Sequence, residues 1–151
     1  MIRAARVDDL PALCDMARAM VAEAPEFAGL EVTDAGVRST LEGWLRLDGT
    51  FVSVAGDGSL AGVAIGWVAP FWFATRAQEA GELAIYVRPE HRGGNHMKRL
   101  VAALEAWARE KGAERITLGV STGRKTEAVA KLYERMGYRR AGVTLVRDIG
   151  P

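Results

Sequence analysis

The stretch Ile85-Tyr86-Val87-Arg88-Pro89-Glu90-His91-Arg92-Gly93-Gly94-Asn95-His96-Met97-Lys98-Arg99-Leu100 decides how this chain is read. Its opening residues are β-branched or aromatic and read as a strand, which Pro89 closes. Its last residues open an amphipathic helix: Met97, Leu100, Val101, Leu104 and Ala108 recur at helical spacing toward Lys111, and Gly112 stops the run. Between strand and helix lies the pair Gly93-Gly94. The first turn of a helix carries unpaired N–H groups and a partial positive charge, so it attracts phosphate. Glycines let a ligand approach the backbone, and Asn95 tolerates the left-handed region better than most residues. Arg92, Lys98 and Arg99 add positive charge around the same point. Together these describe a pyrophosphate cradle. The plainer alternative is a surface turn whose glycines only permit a reversal. The glycine spacing matches neither a Walker loop nor the Gly-x-Gly-x-x-Gly of dinucleotide folds.

Working outward, residues 2–7 read as a short strand, with Asp8 or Asp9 as the N-cap of a helix. That helix carries the apolar stripe Leu10, Leu13, Cys14, Ala17, Met20, Val21 and Ala24, and Pro25 ends it. A second helix from Thr33 or Asp34 places Val37, Leu41, Trp44 and Leu45 on one face. Strands at 51–55 and 60–68 flank Gly56-Asp57-Gly58 as a hairpin. The aromatic run Phe71-Trp72-Phe73 follows, then a strand over 82–87. Beyond the glycine loop come a strand over 115–120, a helix over 126–136, and an extended stretch over 138–148 that Gly142 splits in two. The order β-α-α-β-β-β-α-β-α-β-β predicts an α/β (α+β) fold: a mixed, mostly antiparallel sheet with helices on both faces.

Composition bounds the function. The chain has 151 residues, 49% hydrophobic and 26% charged, which suits one domain over 1–151. A net charge of +1, from 20 basic and 19 acidic residues, argues against gripping nucleic acid by bulk charge. The single cysteine, Cys14, excludes an internal disulfide. No apolar run reaches the roughly 18 residues of a membrane span. Residues 1–6 lack the apolar core of a signal peptide, so the expected location is cytoplasmic. His91 and His96, five apart, find no further ligands, and no metal is expected.

The central stretch resembles the GNAT superfamily of acetyl-CoA-dependent N-acetyltransferases. Members carry, after a strand ending in Val-x-Pro, the pattern Gln/Arg-x-x-Gly-x-Gly/Ala at the start of a long helix. Here the strand ends in Val87-Arg88-Pro89, and the pattern aligns on Arg92-Gly93-Gly94-Asn95-His96-Met97. A second family signature, Leu-Tyr-Glu-x-x-Gly-Phe/Tyr, is matched by Leu132-Tyr133-Glu134-Arg135-Met136-Gly137-Tyr138. The departures are Asn95 and Met97, where the family has small residues, and Thr126, where it has asparagine. Met97 begins the apolar stripe of its helix, so an inward side chain would leave the cradle open.

The resemblance implies transfer of acetyl from acetyl-CoA to a primary amine, small molecule or peptide, by direct attack in a ternary complex. It implies that Arg92, Gly93, Gly94, Asn95, His96, Met97, Lys98 and Thr126 surround the coenzyme A phosphates. It implies that the backbone of Ile85, Tyr86 and Val87 pairs with the pantetheine arm as an added strand would. Tyr133 matches the tyrosine that protonates the departing thiolate; a phenol with a pKa of about 10 is protonated at neutral pH. For the general base, Glu82 shares strand parity with Ala84 and Tyr86 near the entry of the cofactor strand; Glu79 or a water chain is the alternative. Cys14 lies on an apolar stripe and reads as core rather than nucleophile. Phe71, Trp72 and Phe73, with or without Phe27 and Trp44, read as walls of the acceptor pocket, or else as a homodimer contact or a strand end packed beneath the first two helices. The competing reading is a catalytically weak or inactive module of the same fold that binds coenzyme A or a protein partner.

Overall fold

The computed structural model describes residues 1–56 and 58–150. In chain order it forms β1 (Ile2–Ala4), α1 (Leu10–Glu23), α2 (Asp34–Arg46), β2 (Thr50–Ala55), β3 (Gly62–Phe71), β4 (Ala74–Val87), α3 (His96–Glu110), β5 (Ala113–Thr117) and α4 (Thr126–Arg135). The strands make one sheet in the order β1-β2-β3-β4-β5. All neighbours are antiparallel except β4 and β5, which run parallel around the α3 crossover. Helices cover both faces. Leu10, Leu13 and Met16 of α1 and Leu41 of α2 pack on Val52, Val54, Val63, Ile65 and Tyr86. On the other face Leu100 of α3 packs on Ala55, Ala64 and Val87.

Local chemistry explains the helix ends. The Thr33 hydroxyl accepts from the Gly36 N–H at 3.2 Å, the cap expected for α2. Asp9 holds the cap position of α1, but its carboxylate is spent elsewhere: it accepts from the Arg6 N–H and from both Nη atoms of Arg3, each at 2.7 Å. The α3 face of the sheet admits its helix closely because position 66 is glycine. A Cβ there would collide with Leu104 Cδ1 and lie 3.0 Å from the Gly81 carbonyl oxygen.

Three expectations change. β4 begins at Ala74 rather than at 82. Residues 74–81 are polar or small and carry no apolar alternation; their ladder with β3 makes them a strand. β5 covers 113–117 rather than 115–120. The stretch 138–148, expected to hold two strands, holds none. Its start is fixed on α4, where Arg140 pairs with both Glu127 and Glu134. The hairpin turn expected at Gly56-Asp57-Gly58 includes Asp57, which lies outside the described residues. Among the described residues no helix is long and apolar enough to cross a membrane.

Candidate active site

β4 has two different edges. Toward β3 its ladder runs the whole way to Val87, which pairs with Gly62. Toward β5 the ladder stops at Gly81, opposite Thr117. From 82 to 87 the β5-facing edge of β4 therefore has no strand beside it, free but for the Arg92 Nε that donates to the Val87 carbonyl, and the two parallel strands diverge. Ile85, Tyr86 and Val87, the expected pantetheine strand, lie along that free edge.

A β-bulge sits at the point of divergence. Ile65 pairs with Ala84 and Gly66 with Glu82, so Leu83 is the extra residue. Because Ile65 and Gly66 point to opposite faces, so do Ala84 and Glu82. The expected parity of Glu82 with Ala84 and Tyr86 is thus overturned. Ala84 and Tyr86 stay on the α1–α2 face, and Glu82 turns to the face of Gly66 and α3. Its carboxylate accepts from the Gly119 N–H at 3.0 Å, just beyond β5. Burial raises the Glu82 pKa above the ordinary glutamate range, and the Gly119 hydrogen bond offsets part of that rise.

Tyr133 on α4 is buried, 6% exposed, and its ring lies 5.8 Å from that of Tyr138. Burial, then the neighbouring Glu82 charge, push its pKa well above that of a free phenol. Tyr133 is therefore close enough to Glu82 to feel its charge, and it stays protonated across the physiological range. Tyr138 does not compete for the role: its hydroxyl donates to Glu105 at 2.6 Å. Glu79, the alternative base, pairs with Arg115 at 3.3 Å.

The glycine loop meets the requirements of an anion cradle. Asn95 at the N-cap of α3 makes no side-chain cap hydrogen bond, so the first-turn N–H groups are left for another acceptor. Gly93 is in the left-handed region, φ 85°, and a Cβ on Gly94 would point into open space, no nearer than 4.0 Å to its neighbours. Met97 turns inward, packed with Ile85 against the Val87–Leu100 cluster, so its bulk leaves the cradle clear. His96 Nδ1 is buried and has no hydrogen-bond partner among the described residues, while its ring meets that of His91 edge-on at 5.9 Å. An orphaned imidazole nitrogen beside an uncapped helix end suits a phosphate-bearing ligand. Lys98 and Thr126 are exposed near the starts of α3 and α4.

Arg92 is the departure. Its Nε donates to the Val87 carbonyl at 2.9 Å and its Nη2 pairs with Glu23 at 2.8 Å, while the guanidinium lies over the Tyr86 ring. Glu23, at the end of α1, also accepts from the Tyr86 hydroxyl at 2.7 Å and pairs with Arg124. Desolvation pushes the Glu23 carboxyl up, but the hydrogen bonds from Tyr86 and Arg92 outweigh it and hold the pKa below the ordinary value. The Tyr86 phenol rises to about 12 by burial and by the same carboxylate. Sequence reading missed Glu23 and Arg124, and no local pattern marks them.

The α1–α2 connection bounds a cavity of about 380 Å³ lined by Val21, Glu23, Pro25, Phe27 and Leu30 among others. Of the aromatics expected around the acceptor, Phe27 lines this cavity and Trp44 packs on the core. Trp72 and Phe73 stand out at the β3–β4 turn, 90% and 68% exposed. Cys14 is buried on α1, its Sγ 3.8 Å from the Asp34 carbonyl oxygen.

The acetyltransferase (GNAT) family model matches residues 16–138. The chain belongs to the GNAT family. That span takes in the diverging strands, the glycine loop and Tyr133 alike. No curated protein sequence matches significantly. Solved structures share the fold of this GNAT chain at low identity. A ribosomal-protein-alanine N-acetyltransferase from Brucella melitensis biovar Abortus 2308 is 20% identical with a TM-score of 0.72, and each chain is 99% covered. AAC(6')-Iy, in complex with the bisubstrate analogue CoA-S-monomethyl-acetylneamine, is 18% identical with a TM-score of 0.78; 98% of this chain and 97% of that one are covered. A transcriptional regulator from Bacillus halodurans C-125 is 17% identical with a TM-score of 0.82, with 99% of each chain covered.

Proposed function

We propose that this GNAT protein transfers the acetyl group of acetyl-CoA to a primary amine by direct attack in a ternary complex. One observation carries the reading. Glu82, whose pKa burial raises, lies at the point where β4 loses its ladder with β5, and Tyr133, a phenol that keeps its proton, is close enough to feel its charge.

In this reading the coenzyme's phosphates lie against the N–H groups of the Gly93-Gly94-Asn95 loop and the first turn of α3. Lys98 adds charge and His96 Nδ1 adds a polar partner. The free edge of β4 at Ile85, Tyr86 and Val87 takes the two pantetheine amides as it would an added strand, and a β4 N–H polarises the thioester carbonyl. Glu82 accepts a proton from the acceptor ammonium. The freed nitrogen attacks the carbonyl carbon, the C–N bond forms and the C–S bond breaks. Tyr133 gives its phenolic proton to the sulfur, the second proton of the attacking nitrogen leaves as the adduct collapses and restores the phenol, and Glu82 passes its proton to solvent, so thiol and amide leave neutral. Cys14 has no part in this, being buried in the α1 packing.

The test offers purified protein acetyl-CoA and a panel of primary amines, and measures thiol release beside a direct acetyl-CoA titration. Turnover with at least one amine class is expected. Saturable binding with no turnover across chemically diverse amines would replace this reading with that of a coenzyme A-binding module.

A further inference from the structure

Tyr133 rides on a lightly anchored helix. Among the described residues of α4 it alone is buried, whereas α3 buries Leu100, Val101, Leu104 and Ala108. One buried side chain leaves a helix free to slide and roll, yet a reacting group has to be held to within about 0.5 Å. Something else must set the place of the phenol.

The end of α4 supplies it. There the Gly137 N–H donates to the Glu134 carbonyl at 3.0 Å and the Tyr138 N–H to the Tyr133 carbonyl at 3.1 Å. Gly137 makes this turn at φ 97°, where a side chain would be strained. Tyr138 is thereby fastened to Tyr133 twice, by that hydrogen bond and by rings 5.8 Å apart. Its hydroxyl in turn donates to Glu105 of α3 at 2.6 Å. A bond accepted by a carboxylate is about twice as strong as one between neutral groups. Burial, then the Glu105 carboxylate, hold the Tyr138 phenol protonated, so this donor is not lost near neutral pH. Arg109, further along α3, lies 3.8 Å from the other Glu105 oxygen.

The anchor is the firmly packed helix whose first turn forms the anion cradle. Glu105 lies about 14 Å beyond His96 on the same rigid rod. The signature at 132–138 admits phenylalanine in the last place, so it does not itself require the Tyr138 hydroxyl. We propose that Tyr138 and Glu105 are positioning residues: they lock the end of α4 to the cradle helix and so set where the Tyr133 phenol stands. The catalytic consequence of the lock rests on the acetyl-transfer reading; the lock itself does not.

Tyr138→Phe keeps ring and turn but loses the bond, Glu105→Ala loses it from the other side, and Glu105→Gln keeps an oxygen able to accept it. Hydrogen exchange read on peptides over 126–138 needs no turnover. Tyr138→Phe and Glu105→Ala should speed it by about fivefold, the scale of one hydrogen bond, with Glu105→Gln near wild type. A wild type that acetylates no amine would sink the acetyl-transfer reading and leave exchange to decide the lock. With turnover in hand, Tyr138→Phe should lower kcat by about tenfold while the acetyl-CoA Kd stays within about twofold. Glu105→Gln should recover most of the rate that Glu105→Ala loses. In a Tyr133→Phe background, Tyr138→Phe should cost less than about twofold, because no donor is left to place. A bond that only stabilises the fold would cost the same factor in both backgrounds. Unchanged exchange, a Tyr138→Phe kcat within about twofold of wild type, equal costs in the two backgrounds, or Glu105→Gln no better than Glu105→Ala would each overturn the proposal.

Discussion

Replacing Glu82 by glutamine should make the protein slower and more stable at the same time. Glutamine keeps the shape and an amide oxygen able to accept from the Gly119 N–H, now at 3.0 Å from the carboxylate, but it can take no proton. Loss of a general base lowers kcat/KM by about 10²–10⁴, a barrier rise of about 2.7–5.4 kcal/mol. Stability moves the other way. The folded-state pKa of Glu82 lies above its unfolded value, because burial penalises the charged form. Between those two pKa values the folded state holds more protons than the unfolded one, so stability falls as pH rises through the window. The penalty is complete above the folded pKa and absent below the unfolded value, about 4.3. Glutamine removes it. Each unit of displacement is worth about 1.4 kcal/mol, and each kcal/mol moves Tm by about 2–4 °C in a chain of this size. The assay is a thermal melt at pH 7.5 and pH 4 beside initial rates of thiol release over pH. Wild type should show an acid limb above the usual glutamate pKa, and Glu82→Gln should lose it. A Glu82→Gln protein that turns over within threefold of wild type, or that melts lower at pH 7.5, would refute the reasoning.

Three further substitutions test separate parts. Tyr133→Phe should reduce turnover by about 10²-fold or more while leaving the acetyl-CoA Kd within twofold, since only the proton donor is lost. Gly94→Asp places bulk and negative charge in the open space of the cradle; acetyl-CoA affinity should fall at least about tenfold in a titration, with the melt unchanged because no neighbour is displaced. Leu104→Ala empties a fully buried site beside Gly66 and should cost about 2–5 kcal/mol by urea denaturation, with the residual activity per folded molecule preserved.

The strand, loop and helix around Gly93-Gly94 were legible because each rests on local chemistry: β-branched residues, a proline stop, paired glycines and a 3.6-residue stripe. The burial of Tyr133 was legible for the same reason, on the inner face of a periodic helix, whereas its candidate role rests on the family signature; Met97 could be turned inward on its stripe alone. Glu82 was found but set on the wrong face. A bulge belongs to the pairing of two strands, and nothing in Glu82-Leu83-Ala84 announces that Leu83 will be skipped. The Arg92–Glu23 and Tyr86–Glu23 bonds span 69 and 63 residues, so only the fold brings them together. Residues 138–148 erred in the other direction: their alternation reads as strand, but a strand needs a neighbour, and among the described residues they pair with none.

The bulge also explains why the slot exists. After the Gly81–Thr117 pair, a continuing parallel ladder would spend the Gly119 N–H on a β4 backbone carbonyl. Here that N–H is taken by the Glu82 side chain instead, which the extra residue Leu83 has turned to the α3 face and into the gap. In the proposed mechanism the carboxylate is thus a wedge as well as a base: it caps the donor that would have closed the strands. The two roles separate by substitution. Glu82→Gln keeps the wedge and loses the base, so acetyl-CoA binding should hold while turnover falls. Glu82→Ala loses both, the Gly119 N–H is released to β4, and the slot narrows. Acetyl-CoA affinity should then drop by roughly tenfold, the scale of one unmade hydrogen bond, on top of the lost rate. Equal affinities for the two variants would leave Glu82 with its proton-transfer role alone and assign the divergence of the strands to the bulge.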